Sequence, residues 1–151
     1  MEIKSFSTYH LIKSEDLNHH GTLFAGRSAE WFVEAGFVAA ASIVDARDVI
    51  CLKIHGMQFT KPMKIGQIAC YTSRIVYAGK SSLVSHTKMC AIQDKESCIL
   101  EGFLTFVHVD SNNKPKPHGV TMSPATDEEK QLYEEAKQLA KPIAAEAVQK
   151  K

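Results

Sequence analysis

Apolar residues along the chain change their spacing several times, and each change marks an element. Lys4 to Ser14 alternates imperfectly, with Phe6, Tyr9, Leu11 and Ile12 apolar, and predicts a first strand. Glu15 to Gly21 is polar, and its turn formers Asp16, Asn18 and Gly21 predict a loop that redirects the chain. Trp31 to Val44 is then apolar almost throughout, with one carboxylate, Glu34, inside it. That run predicts a helix beginning near Thr22 to Gly26 and ending near Val44 to Ala46. A helix this apolar must be covered, and a carboxylate in it must be paired, at an edge, or functional.

Four strand-like runs follow, 49–59, 67–77, 81–93 and 98–109. Turn signals separate them at 61–66, 78–80 and 94–96. A strand, a long helix and four strands with short links predict an α+β domain, the helix lying on one face of an antiparallel meander. Residues 110–125 hold three of the five prolines and predict a linker. Thr126 with Glu129 three positions on is a capping-box pattern. It opens a surface helix over 127–150 with a thin stripe of Leu132, Leu139 and Ile143, interrupted at Pro142.

At 151 residues this is the length of one domain with a sizeable core. A net charge of +1 gives no electrostatic reason to expect nucleic acid as a partner. The four cysteines, Cys51, Cys70, Cys90 and Cys98, show no C-x-x-C spacing, sit in predicted strands or strand ends, and are expected to be buried reduced thiols of a cytoplasmic protein. No N-terminal signal pattern and no apolar run of membrane-spanning length is present, so no membrane partner is expected.

Three segments resemble one family. Asp16-Leu17-Asn18-His19-His20-Gly21-Thr22-Leu23-Phe24-Ala25-Gly26 is similar to the opening motif of single-domain hotdog-fold acyl-CoA thioesterases. Phe59-Thr60-Lys61-Pro62-Met63-Lys64-Ile65-Gly66-Gln67 matches a second family pattern, and Gly79-Lys80-Ser81-Ser82 a third. The resemblance spans about 5–118, so residues 1–118 are expected to form the hotdog domain and 119–151 a linker and helical tail. It implies a curved antiparallel sheet wrapped round the long helix. It also implies a homodimer at minimum, in some relatives a tetramer or hexamer, with active sites between two chains. The sequence departs from the pattern twice. Ala25 replaces a glycine, and the acid of relatives falls on Val33, one residue before Glu34. One residue turns a helix by about 100°. A local bulge could compensate, Asn18 could act without that acid, or the activity could differ.

The chemistry implied is hydrolysis of acyl-CoA to a carboxylic acid and CoA, with no cofactor. The Gly26 N–H at the helix start would receive the oxyanion; the alternative is a helix start that needs small residues for packing. Asn18 would orient the water or the carbonyl, since an amide cannot be a base; its alternative is an Asx turn. Glu34 would be the base, its pKa raised by desolvation; its alternative is an ion pair or an exposed edge position. For the CoA end the candidates are His19, His20, Arg27, Lys61, Gly79, Lys80 and Ser81. Arg27 sits where the helix dipole disfavours a cation, so it should have a phosphate or carboxylate partner. His19 and His20 lack a third ligand at metal-site spacing, so no metal is assigned. His55 and His86 are expected to be structural. Two other functions remain open: a non-catalytic acyl-CoA sensor, favoured by Val33, and a hydratase or dehydratase of the same fold.

Overall fold

The structure, a computed structural model, describes residues 2–149, with side chains described for 2–141. Its strands are β1 (Phe6–Leu11), β2 (Val49–Ile54), β3 (Gln58–Phe59), β4 (Ile68–Ala78), β5 (Ser82–Ala91) and β6 (Asp94–His108). Its helices are α1 (Ala25–Ala41) and α2 (Asp127–Gln149). The strands form one antiparallel sheet in the order β1-β4-β5-β6-β2, with β3 also paired to β6.

The α+β class and the helix on one sheet face are as expected; the meander is not. Only β4, β5 and β6 follow one another in space, while β2 lies on the far edge beside β6. The predicted strand 49–59 is broken at 55–57, where Gly56 has φ +79°. The turn placed at 94–96 lies instead at Ile92 and Gln93, and β6 already begins at Asp94. The helix ends earlier than Val44, at Ala41. There the Ser42 hydroxyl donates to the Ala39 carbonyl at 2.6 Å.

α1 buries Ser28, Phe32, Ala35, Gly36, Ala39 and Ala40 against the sheet. The helix lies close because these side chains are mostly small. A Cβ on Gly36 would run into the Leu104 side chain, the Ser85 hydroxyl and the Phe106 ring, all fully buried. The other side of α1, with Glu30, Glu34 and Val38, is exposed. α1 runs along β4, with Ser28 hydrogen-bonded to Tyr71 at 2.8 Å and Ala39 packed in the same core as Ile75. Burial pushes the Tyr71 phenol up to about 12, so this buried pair stays neutral.

The opposite sheet face is covered by α2. Leu132, Ala136 and Ala140 pack on Val76 and Val84, whose chain neighbours Ile75 and Leu83 point at α1. The predicted capping box is present: the Glu129 N–H donates to Thr126 Oγ1 at 3.1 Å, and Glu129 Oε2 accepts the Ala125 N–H at 2.8 Å. Arg74 of β4 pairs with Glu128 at 2.7 Å. Through these described residues α2 packs on the sheet along its apolar stripe. Pro142 does not end it, and Ile143 of the expected stripe and Lys150 at its expected end lie outside the residues described at that level.

Replacing Gly36 by Val should cost about 1–3 kcal/mol through overpacking. The midpoint of denaturant unfolding would fall accordingly, and an unchanged midpoint would show that α1 does not lie this close.

Candidate functional site

The opening-motif loop is closed by its own backbone. The Asn18 N–H donates to Thr22 O at 2.7 Å, and the Gly21 N–H to Asn18 O at 3.0 Å, with Gly21 at φ +80°. Asn18 Oδ1 accepts the N–H of His20 at 2.9 Å and of Thr22 at 3.2 Å, and its Nδ2 donates to Thr22 Oγ1 at 3.1 Å. Asn18 thus forms the Asx turn that was the alternative to a catalytic role. One of its two amide hydrogens is left over from the Thr22 bond. His19 and His20 are exposed, their rings 4.0 Å apart.

The residue that sequence reasoning missed is Asp16. It is 4 % exposed. Its Oδ2 accepts the Lys13 N–H at 2.9 Å, and its Oδ1 meets Arg27 Nε at 3.2 Å. Its carbonyl accepts the Phe24 N–H at 2.9 Å. Arg27 therefore has the carboxylate partner its position demanded, inside the same chain, with Glu30 at 3.5 Å as a second. That demand was the signal that could have pointed to Asp16.

The α1 ladder begins with the Ser28 N–H to the Phe24 carbonyl at 3.1 Å, so the amides of Ala25, Gly26 and Arg27 precede it. Gly26 is exposed, and the Phe24 ring lies beside it, 2.6 Å from where a Cβ would be. The second motif docks here. The Leu23 N–H donates to the Met63 carbonyl at 2.8 Å, and Thr22 bridges Lys64. Between them is a cleft of about 370 Å³ whose lining includes Asn18, Ala25, Phe59 and Lys61.

The other candidates are elsewhere. Glu34 lies eight residues along α1 from Gly26, about 12 Å, on the exposed side of the helix. The burial expected around it is not supplied by this chain. Gly79, Lys80 and Ser81 form the β4–β5 turn at the end of β4 remote from the cleft, about 30 Å along an 11-residue strand. His55 bonds Thr105 Oγ1 at 2.6 Å and His86 bonds Glu101 Oε1 at 2.8 Å, each with its pKa lowered by burial, as structural histidines.

The edge strand β2 presents Ile50, Leu52 and Ile54, each about 40 % exposed, with Phe59 beyond them. The four cysteines are free thiols on strands as expected, but only Cys70 is buried; the other three are half-buried. No described helix is long and apolar enough to cross a membrane.

Asp16→Ala would strand the Lys13 amide and the Arg27 guanidinium. It should lower stability by about 1–3 kcal/mol, read as a drop in thermal midpoint, and an unchanged midpoint would show that the anchor is idle.

The thioesterase superfamily profile matches residues 20–98. The chain is 30 % identical over 128 residues to the Bacillus subtilis protein named "Uncharacterized acyl-CoA thioester hydrolase YkhA", covering 83 % of this chain and 73 % of that one. Among solved structures it resembles an acyl-CoA hydrolase from Staphylococcus aureus in complex with butyryl coenzyme A. The TM-score is 0.80 at 28 % identity, over 97 % of this chain and 87 % of that one. It also resembles an apo-hexameric acyl-CoA thioesterase, with TM-score 0.80 at 26 % identity over 95 % and 92 % of the two chains. The family expected from the three motifs, the match over more than half of the chain and the shared architecture agree, and the chain belongs to the thioesterase superfamily with its hotdog fold.

Proposed function

We propose that this chain hydrolyses acyl-CoA to a free carboxylic acid and CoA, at a site assembled from two copies of it. The observation that carries the reading is the cleft where the start of α1, with amides ahead of its hydrogen-bond ladder, meets the Lys61 segment. In this reading the thioester carbonyl lies at the helix start. Water adds to the carbonyl carbon, and the oxyanion is held by the Gly26 N–H and the positive end of the helix. Asn18 directs its remaining amide hydrogen at the water or the carbonyl. Glu34 takes the proton of the water. The C–S bond then breaks, and the thiolate of CoA leaves and is protonated.

Glu34 is too far along its own helix to serve its own Gly26, so the base is supplied by the second copy. Burial between two helices would also provide the desolvation that one chain does not. The β2 edge is the natural place for the copies to meet, because it combines unpaired backbone with exposed Ile50, Leu52 and Ile54. A two-fold pairing is the simplest closed solution, and the hexameric relative makes a larger assembly part of the proposal. Lys61 at the cleft, His19 and His20 on the loop, and the Gly79-Lys80-Ser81 turn of the second copy would receive the CoA phosphates, while Arg27 stays with Asp16. The reaction as proposed draws on no cofactor and no metal, and its setting is the cytoplasm.

The sensor reading is favoured by one observation, Val33 at the position of the family acid. Thiol release measured over a panel of acyl-CoA chain lengths separates the two. Turnover is expected, with Asn18→Ala and Glu34→Gln each lowering kcat by about a hundredfold or more. CoA binding without turnover would establish the sensor, and full rates in both variants would remove these residues from the mechanism.

A further inference from the structure

The last residue of β6, His108, and one residue of the segment after it, His118, tie to the Gly79–Ser82 turn, though that segment was expected to be a linker. The His118 N–H donates to the Lys80 carbonyl at 3.2 Å, and the His108 N–H to the Ser81 carbonyl at 2.7 Å. His118 Nε2 meets the Ser82 carbonyl at 2.9 Å. Three successive carbonyls of the turn are therefore held. The Ser82 carbonyl also accepts the Gly79 N–H at 2.9 Å, so His118 acts at the bond that closes the hairpin.

The protonation state of His118 follows from its partners. A carbonyl only accepts, so Nε2 carries the hydrogen. The Val120 N–H only donates, and it lies 3.0 Å from Nδ1, so Nδ1 is bare. His118 is a neutral imidazole with both nitrogens satisfied in a single tautomer. The segment is itself secured by the Lys116 N–H to the His108 carbonyl at 2.8 Å, and by His108 Nδ1 to the Lys116 carbonyl at 2.9 Å. The turn backbone is fixed while Lys80 stays exposed at its tip.

We infer that His118 is a positioning residue for CoA: it holds the Gly79-Lys80-Ser81 turn in the shape that receives the phosphate-bearing end of the substrate. The inference rests on the assignment of that turn to CoA under the proposed function. A loop ordered in advance spares the substrate the entropy of ordering it, so the effect belongs in binding and not in the chemical step.

The test compares two thioesters of the same acyl group, acyl-CoA and acyl-N-acetylcysteamine, which lacks the phosphates. His118→Phe should raise KM for acyl-CoA roughly three- to tenfold, the worth of one hydrogen bond. It should leave kcat and the short thioester unchanged. His118→Gln keeps an N–H near the Ser82 carbonyl and should restore most of the loss. An unchanged KM for acyl-CoA, or equal losses on both substrates, would overturn the inference. If His118→Phe does not fold, Val120→Pro, which removes the N–H given to Nδ1 while also fixing φ at that residue, carries the same expectation. Lys80→Ala with an unaltered KM for acyl-CoA would overturn the assignment of the turn itself. An effect of Lys80→Ala without one of His118→Phe would overturn only the role of His118.

Discussion

Helix α1 can lie on the sheet only because its buried face is made of small side chains. Gly36 brings its backbone against β5 and β6, and Ala39, Ala40 and Phe32 are buried along the same face. The contact fixes the helix lengthwise, and Asp16 fixes its start by holding Arg27 and the Lys13 amide. Everything placed at the helix start inherits that position, including the Asn18 loop and the cleft it shares with the Lys61 segment. The same contact uses up the sheet. One face takes α1 and the other α2, so the outward side of α1 is left without a cover.

An uncovered helix side bearing Glu34 and an edge strand bearing Ile50, Leu52 and Ile54 describe half of something. Within one chain the helix start, the carboxylate and the Lys80 turn lie one after another along the long direction of the sheet. No single substrate carbonyl can meet both Gly26 and Glu34 of the same helix. A second chain running the opposite way would set one helix start beside the other helix's carboxylate, and would turn the long separation of the motifs from a difficulty into the span of an extended ligand.

Much of this was legible in the sequence because it is written in local periodicity and turn chemistry. The start of the long helix, the strands β1, β4 and β5 and the Thr126 cap fall where the pattern puts them. What was not legible depends on partners distant in the chain. The side of the sheet that β2 joins is set by which strand offers it an edge, and nothing within 49–54 encodes that. The break at Gly56 carries a glycine as its only local mark. Asp16 reads as a turn former until Arg27 is seen beside it. Residues 110–125 read as a linker because the bonds that tie them to another hairpin are made by His118, to backbone carbonyls of that hairpin, and the thin stripe of α2 shows no target until Val76 and Val84 are seen facing it.

Subunit complementation tests the shared site most directly. One homo-oligomer carries Asn18→Ala and the other Glu34→Gln; each alone is slowed about a hundredfold or more in this account. After dissociation and reassociation of the mixture, hybrids pair an intact helix start from one chain with an intact carboxylate from the other, and acyl-CoA hydrolysis should rise well above both parents. A mixture that reassembles into hybrids yet stays at the parental rates would mean that each site is complete within one chain.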